Sequence, residues 1–155
     1  MQEADELEAR LEKVRELESN LTFQIALVNR ILENQVLDIV SGHDLNLTGY
    51  RVMRVASIFG AISLSDLSRQ MLVDRAQISR TASGLEARGL IEYRQDGTNK
   101  RKKMVTLTAT GRALMDELAP AFQARRQKID DAIGEDAKPG LWQAIHNLSA
   151  MRPRD

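Results

Sequence analysis

Two helix-opening signals set close together constrain this chain more than any other feature. Ser63 stands before Leu64, Leu67 and Met71, and Asp66 lies three residues on. In that capping box a hydroxyl and a carboxylate reciprocally satisfy the free N–H groups of a first helical turn. Asp74 stands in the same relation to Ile78, Ala82 and Leu85, with Gln77 three residues on. The first helix has room for only about two turns before the second opens. The second stops at Gly89, and Leu90 is spaced to contact Leu85 in a Schellman-type ending. Residues 63–90 therefore specify a helix, a tight turn, a second helix and a firm stop.

The hydrophobic period then changes. Ile91 and Tyr93 alternate with Glu92 and Arg94, and Val105 and Leu107 alternate with Met104, Thr106 and Thr108. This is the pattern of a two-stranded hairpin. Its tip opens on the turn dipeptide Asp96-Gly97 and closes on four consecutive cations, Lys100, Arg101, Lys102 and Lys103. A long, polar, positive wing follows the two helices.

The flanks are longer helices. Residues 4–40 read as one amphipathic helix, with Leu7, Leu11, Val14, Leu21, Ile25, Val28 and Leu32 in a stripe that only Glu18 interrupts. Such a helix exceeds what the small domain after it can cover, so its seam is expected to meet another subunit. Ser41-Gly42 ends it. Thr48 is expected to cap the next helix, with Leu47 and Val52 as a hydrophobic staple and Val52, Val55, Ala56 and Phe59 on its core face, and Gly60 stops it. Thr108 is expected to cap a last long stretch carrying Leu114, Leu118, Phe122, Ile129 and Ile133, which Pro120 should break or kink before Gly134 closes it. A final helix over about 139–151 should bury Leu141, Ile145 and Leu148. The fold class is mainly α with a small β hairpin. It is a winged helix-turn-helix over residues 47–108, between an N-terminal dimerisation helix, residues 1–46, and C-terminal dimerisation helices, residues 109–155, in one intertwined domain.

Charge separates along the chain although 22 basic residues balance 22 acidic ones. Residues 69–103 hold nine cations against four carboxylates, whereas residues 1–18 hold seven carboxylates against three cations. The opening residues are acidic and polar, unlike a secretory or transit peptide, and no apolar run approaches the ~20 residues of a membrane helix. A cytoplasmic protein with no membrane partner is expected. The absence of Cys removes disulfides, thiolate metal sites and thiol catalysis, and His43 and His146 are too few for a His-rich zinc site. No Ser-His-Asp set, metal cluster or phosphate-cradling glycine loop appears at a usable spacing, so neither an enzyme nor a cofactor is expected.

The major groove of duplex DNA admits one helix, oriented on the backbone by a short helix before it. With Ile78, Ala82 and Leu85 facing the core, Arg75, Gln77, Ser79, Arg80 and Ser83 are left towards solvent. Gln pairs with adenine and Arg with guanine, so Gln77 and Arg80 are the expected base readers. Ser63 and Ser65, on the preceding helix, are expected backbone contacts. Gly84 permits either close packing or a close phosphate approach. At the wing, Arg101 suits a narrow minor groove, with Asn99, Lys100, Lys102 and Lys103 around it neutralising or contacting phosphates. The competing function is a winged-helix protein–protein interaction module without sequence-specific DNA binding.

The run Leu47-Thr-Gly-Tyr-Arg-Val52, the segments Ile78-Ser-Arg-Thr and Leu85-Glu-Ala-Arg-Gly-Leu90, and Arg101 with Val105-Thr-Leu-Thr108 and Gly111 resemble the multiple antibiotic resistance regulator (MarR) family in order and spacing. Asn99 departs from the family pattern, which has Asp two residues before the wing arginine; that removes a charge partner for Arg101. The resemblance implies a bacterial homodimer that represses a nearby operon from a palindromic duplex site. It also implies release by a small effector, such as an aromatic carboxylate, bound between the dimer helices and the DNA-binding lobe. Tyr50, Arg51, Phe59 and Phe122 either line such a pocket or serve as ordinary core and surface.

Overall fold

The computed structural model describes residues 2–97 and 103–151. The described residues form seven α-helices and a small antiparallel sheet that packs against α3, α4, α5 and α6: α1 (Gln2–Ser19), α2 (Leu21–Val40), α3 (Leu47–Phe59), β1 (Ile62–Ser63), α4 (Leu64–Met71), α5 (Arg75–Ala87), β2 (Ile91–Gln95), β3 (Lys103–Leu107), α6 (Ala109–Ile133) and α7 (Lys138–Ser149).

The N-terminal stripe does not form one helix. Asn20 is extended (φ −79°, ψ 103°), and its Oδ1 accepts hydrogen bonds from the Phe23 N–H at 3.0 Å and the Thr22 hydroxyl at 2.7 Å. A short amide that bonds the following turn competes with helix continuation and instead starts a new helix, a cap worth about 1 kcal/mol. The next cap also moves. Asn46, not Thr48, opens α3 by accepting the Gly49 N–H at 2.7 Å, which leaves Thr48 inside the helix. Between these helices a 3-10 turn, Ser41–His43, delivers the chain to Asp44 in the left-handed region (φ 52°).

The two caps that define the helix-turn-helix are present. The Ser63 hydroxyl accepts the Asp66 N–H and donates to the Asp66 carboxylate, and Asp74 Oδ2 accepts from Ala76 and Gln77 N–H. α5 ends as the sequence indicates. The Gly89 N–H donates to Glu86 O and the Leu90 N–H to Leu85 O, with Gly89 at φ 67°, a conformation that suits a residue without Cβ.

The hairpin gains a third strand, in the order β1-β3-β2. Ile62 pairs with Val105 on one side of β3, and Tyr93 pairs with Val105 on the other. Met53, Leu67, Ile78, Ile91 and Val105 are fully buried between this sheet and α3, α4 and α5, while Val36, Val40 and Leu118 extend the core to α2 and α6.

Two expectations about packing fail, and one about α6 is narrowed. Phe59, at the last turn of α3, is 56% exposed rather than core. Pro120 does not break α6, which continues from Ala109 to Ile133. A proline inside a helix costs about 3 kcal/mol, and here Leu118 and Phe122 on either side of it both pack on the core and keep the helix going across it. Leu141, Ile145 and Leu148, expected to be buried, are 42%, 42% and 51% exposed, because α7 presents its apolar side outside this chain's own core.

Where α6 starts, the backbone approaches the end of α5 closely. A Cβ on Gly111 would lie 2.0 Å from the Leu90 carbonyl oxygen, which is backbone and cannot rotate away. Gly111→Ala is therefore expected to cost about 3 kcal/mol, read as a lowered urea midpoint at constant m-value. Gly140→Ala in α7, where the added Cβ meets nothing within 4 Å, is the control and is expected to leave the midpoint unchanged or slightly higher.

Candidate nucleic-acid interface

α5 is anchored along one side and open along the other. Ile78, Ala82 and Leu85 are buried, Arg75, Gln77, Arg80 and Ser83 are exposed, and Ser79 is half-buried. Neither Arg75 nor Arg80 forms an ion pair among the described residues, whereas Arg69 is paired with Asp66 on α4 and Arg94 with Glu92 on β2. The open side of α5 thus offers two uncommitted guanidinium groups, an amide and hydroxyls. Gly84 lies on the same helix, and a Cβ there would meet nothing within 4 Å, so its use as a packing contact within this chain is excluded.

Ser63 is corrected from the expected contact set. It is 4% exposed, pairs with Met104 in the sheet and spends its hydroxyl on the cap of α4. A residue that ends a strand and opens a helix in consecutive positions is held on both sides. Ser65, one residue into α4, is half-buried. Lys103 opens β3 as an exposed residue, with Nζ 5.7 Å from the Tyr93 ring centroid, a cation–π contact that steadies the root of the wing. Asn99, Lys100, Arg101 and Lys102 lie outside the described residues.

A second site lies behind this face, in a cleft of about 240 Å³ between α2, α3 and α6. Tyr50 and Phe122 stack in it, ring centroids 4.2 Å apart and planes at 8°. Of the four residues considered for a pocket these two come together. Phe59 stands exposed at the far end of α3, and Arg51 is paired with Glu33 at 3.2 Å. Sequence reasoning missed the cations of the cleft, Arg54, Arg125 and Arg126. The signal was present: Arg54 is four residues after Tyr50, and Arg125 and Arg126 are three and four after Phe122, spacings that share a helix face.

The cleft is electrostatically unbalanced. Arg125 Nη2 donates to Leu32 O at 2.9 Å, but its Nε is buried without a partner among the described residues. Burial pushes the Tyr50 phenol above its ordinary range, and Arg54, Arg125 and Arg126 pull it partly back. Buried N–H groups normally find an acceptor, so the arrangement suits an acceptor of negative charge beside an aromatic plane.

The MarR family model matches residues 45–103. The chain is 28% identical over 86 residues to the HTH-type transcriptional regulator Hpr of Exiguobacterium sibiricum, covering 56% of this chain and 46% of that protein, so it spans about half of that relative's length. It is 22% identical over 102 residues to the HTH-type transcriptional regulator FarR of Neisseria gonorrhoeae, covering 66% of this chain and 70% of that protein. In structure it is similar to CouR from Rhodococcus jostii bound to p-coumaroyl-CoA, with a TM-score of 0.79, 19% identity and coverage of 90% and 98% of the two chains. It is also similar to a mutant MarR from E. coli complexed with operator DNA, with a TM-score of 0.74, 20% identity and coverage of 83% and 92%. α3, the capped α4–α5 pair, β1, β2 and the first residue of β3 are the parts of the fold that fall within the matched segment. Residues 45–103 thus match the MarR family model, and the chain shares the fold of the solved MarR and CouR structures.

Proposed function

We propose that this protein is a homodimeric, cytoplasmic bacterial transcription regulator that represses by binding a palindromic duplex operator. Residues 47–108 form the DNA-binding region, and residues 1–46 and 109–155 the dimerisation region. The observation that carries the reading is α5 itself. It is rigidly capped at both ends, anchored by Ile78, Ala82 and Leu85, and presents Gln77 and Arg80 outward beside a wing root that leads into Lys100 to Lys103. In this reading Gln77 and Arg80 contact base edges, Arg75, Ser79, Ser83 and Ser65 the adjoining backbone, and Arg101 the minor groove, with its neighbouring cations on phosphates.

Two copies supply the two half-sites. Leu7, Leu11, Val14, Leu21, Ile25 and Val28 on α1 and α2, and Leu141, Trp142, Ile145 and Leu148 on α7, are all exposed in the single chain. Apolar surface of that extent marks an interaction site. The same surface explains why α7 keeps a regular apolar spacing without a core to face.

The Tyr50–Phe122 cleft receives the effector, an aromatic carboxylate whose ring extends the stack and whose charge meets the guanidinium groups of Arg54, Arg125 and Arg126 that line it. The solved relative carrying p-coumaroyl-CoA and the 6-hydroxynicotinic acid-regulated BpsR of Bordetella bronchiseptica support a small-molecule site in this fold.

Selection from a random duplex library should enrich an inverted repeat with half-site centres about 10 base pairs apart. No enrichment, with weak salt-insensitive binding, would instead indicate a protein–protein interaction module. On the enriched duplex, Arg80→Ala is expected to cost about 1–3 kcal/mol and relax one position, whereas Arg101→Ala should weaken all duplexes and flatten the salt dependence. Ile145→Glu should lower subunit affinity at least about tenfold in sedimentation, and an unchanged dimer would remove α7 from the interface. Calorimetric titration with 4-hydroxybenzoate should show binding that Arg125→Met weakens by about tenfold; equal affinity in both proteins would place the carboxylate elsewhere.

A further inference from the structure

Two helix C-termini meet at one side chain. α2 runs out through the 3-10 turn Ser41–His43, and α5 runs out at Arg88, whose own N–H donates to Gly84 O at 3.3 Å. The last carbonyls of each helix lack helical partners, and each end carries about half a negative charge. Placed together such ends repel. The Arg88 guanidinium separates them, with Nη1 donating to Asp44 O at 2.6 Å and Nη2 to His43 O at 2.9 Å. The turn that receives both bonds also passes α6, where His43 Nδ1 lies 3.9 Å from a Glu117 carboxylate oxygen, beyond hydrogen-bond reach. One turn therefore continues α2, passes α6 and, through Arg88, holds the end of the DNA-facing helix.

We propose that Arg88 is a positioning residue for DNA reading: it fixes the angle of α5 against the α2–α6 helices and transmits shifts of those helices to Gln77 and Arg80. The inference rests on the DNA-binding function proposed above. Two of the five guanidinium donors are committed to backbone oxygens, which fixes the plane of the group against the turn, so its part in DNA reading is positional rather than that of a mobile phosphate ligand. A lysine would keep the charge between the two C-termini but lose the planar fork that holds two carbonyls at once.

The test compares wild type, Arg88→Met and Arg88→Lys as full chains on the selected duplex and on a scrambled duplex of equal length, across a salt series, with amide exchange at residues 41–46 and 84–90. Arg88→Met is expected to lose about tenfold in preference for the selected duplex. Its affinity for the scrambled duplex and its salt slope should stay unchanged, and exchange should rise in both segments. Arg88→Lys should recover part of the preference, and it carries the test if Arg88→Met fails to fold. An unchanged preference overturns the proposal. So does a salt slope shallower by about one counterion, which would mark Arg88 as a phosphate contact, or faster exchange in only one segment. If wild type itself prefers no duplex, the DNA-binding function fails, and the paired exchange response alone decides whether Arg88 ties the two segments.

Discussion

The structure depends on a small joint at Thr108. Its hydroxyl donates to Gly89 O at 2.6 Å and accepts the Gly111 N–H at 3.0 Å, while its own N–H donates to Leu90 O at 3.2 Å. A single residue thus closes the end of α5, the start of β2 and the first turn of α6. Gly111 is the counterpart on the other side, since the close approach requires a position without Cβ. The Arg112 guanidinium adds a bond to Leu107 O at 2.7 Å, so the last strand residue is fastened as well. Without this joint the helix-turn-helix would be linked to α6 mainly by packing. Packing sets distance well but angle poorly, because apolar contact is non-directional.

Arg88, adjacent to Gly89, gives the same helix end a second attachment in a different direction. The C-terminus of α5 is held by backbone and hydroxyl contacts towards α6 and by a guanidinium towards α2. Its N-terminus is held by Asp74, whose carboxylate accepts two N–H groups of the first turn. Each bond contributes about 1 kcal/mol net, which is modest against the burial of Ile78, Ala82 and Leu85. Their value is directional. A helix that must present side chains to base edges needs its rotation and tilt fixed, and buried aliphatic surface alone does not do that.

The parts of this arrangement that were legible in the sequence are local. Ser63 with Asp66, Asp74, Gly89 with Leu90, and Thr108 are caps whose partners lie within a few residues, and all were found where the sequence placed them. Asn20 and Asn46 belong to the same class but were hidden by neighbours that looked better: an apolar stripe that resumes at Leu21 after a single interruption at Glu18, and Thr48 beside a plausible staple. β1 is two residues long and exists only because β3 offers it an edge, so no period within it could announce it. Leu141 and Ile145 are exposed because α7 turns its apolar side away from this chain's own core, a choice of neighbour that no spacing within α7 encodes. In the cleft, the aromatic pair was among the residues singled out, but its arginines, Arg54, Arg125 and Arg126, were not, because nothing local marks a helix-surface cation as facing inward. Arg88 was counted as charge alone, since its acceptors lie 44 and 45 residues away.

The added strand has a mechanical consequence for the wing. β3 is flanked on both sides at Met104 and Val105, by β1 and by β2, whereas at Lys103 it is paired only with Gln95 of β2. The strand is therefore clamped where it meets the core, at the fully buried Val105, and held from one side only where Lys103 faces Gln95. Lys103 and Gln95 are both exposed, so side chains at that pair can change at little cost to the fold, whereas a change at Val105 reaches the core directly.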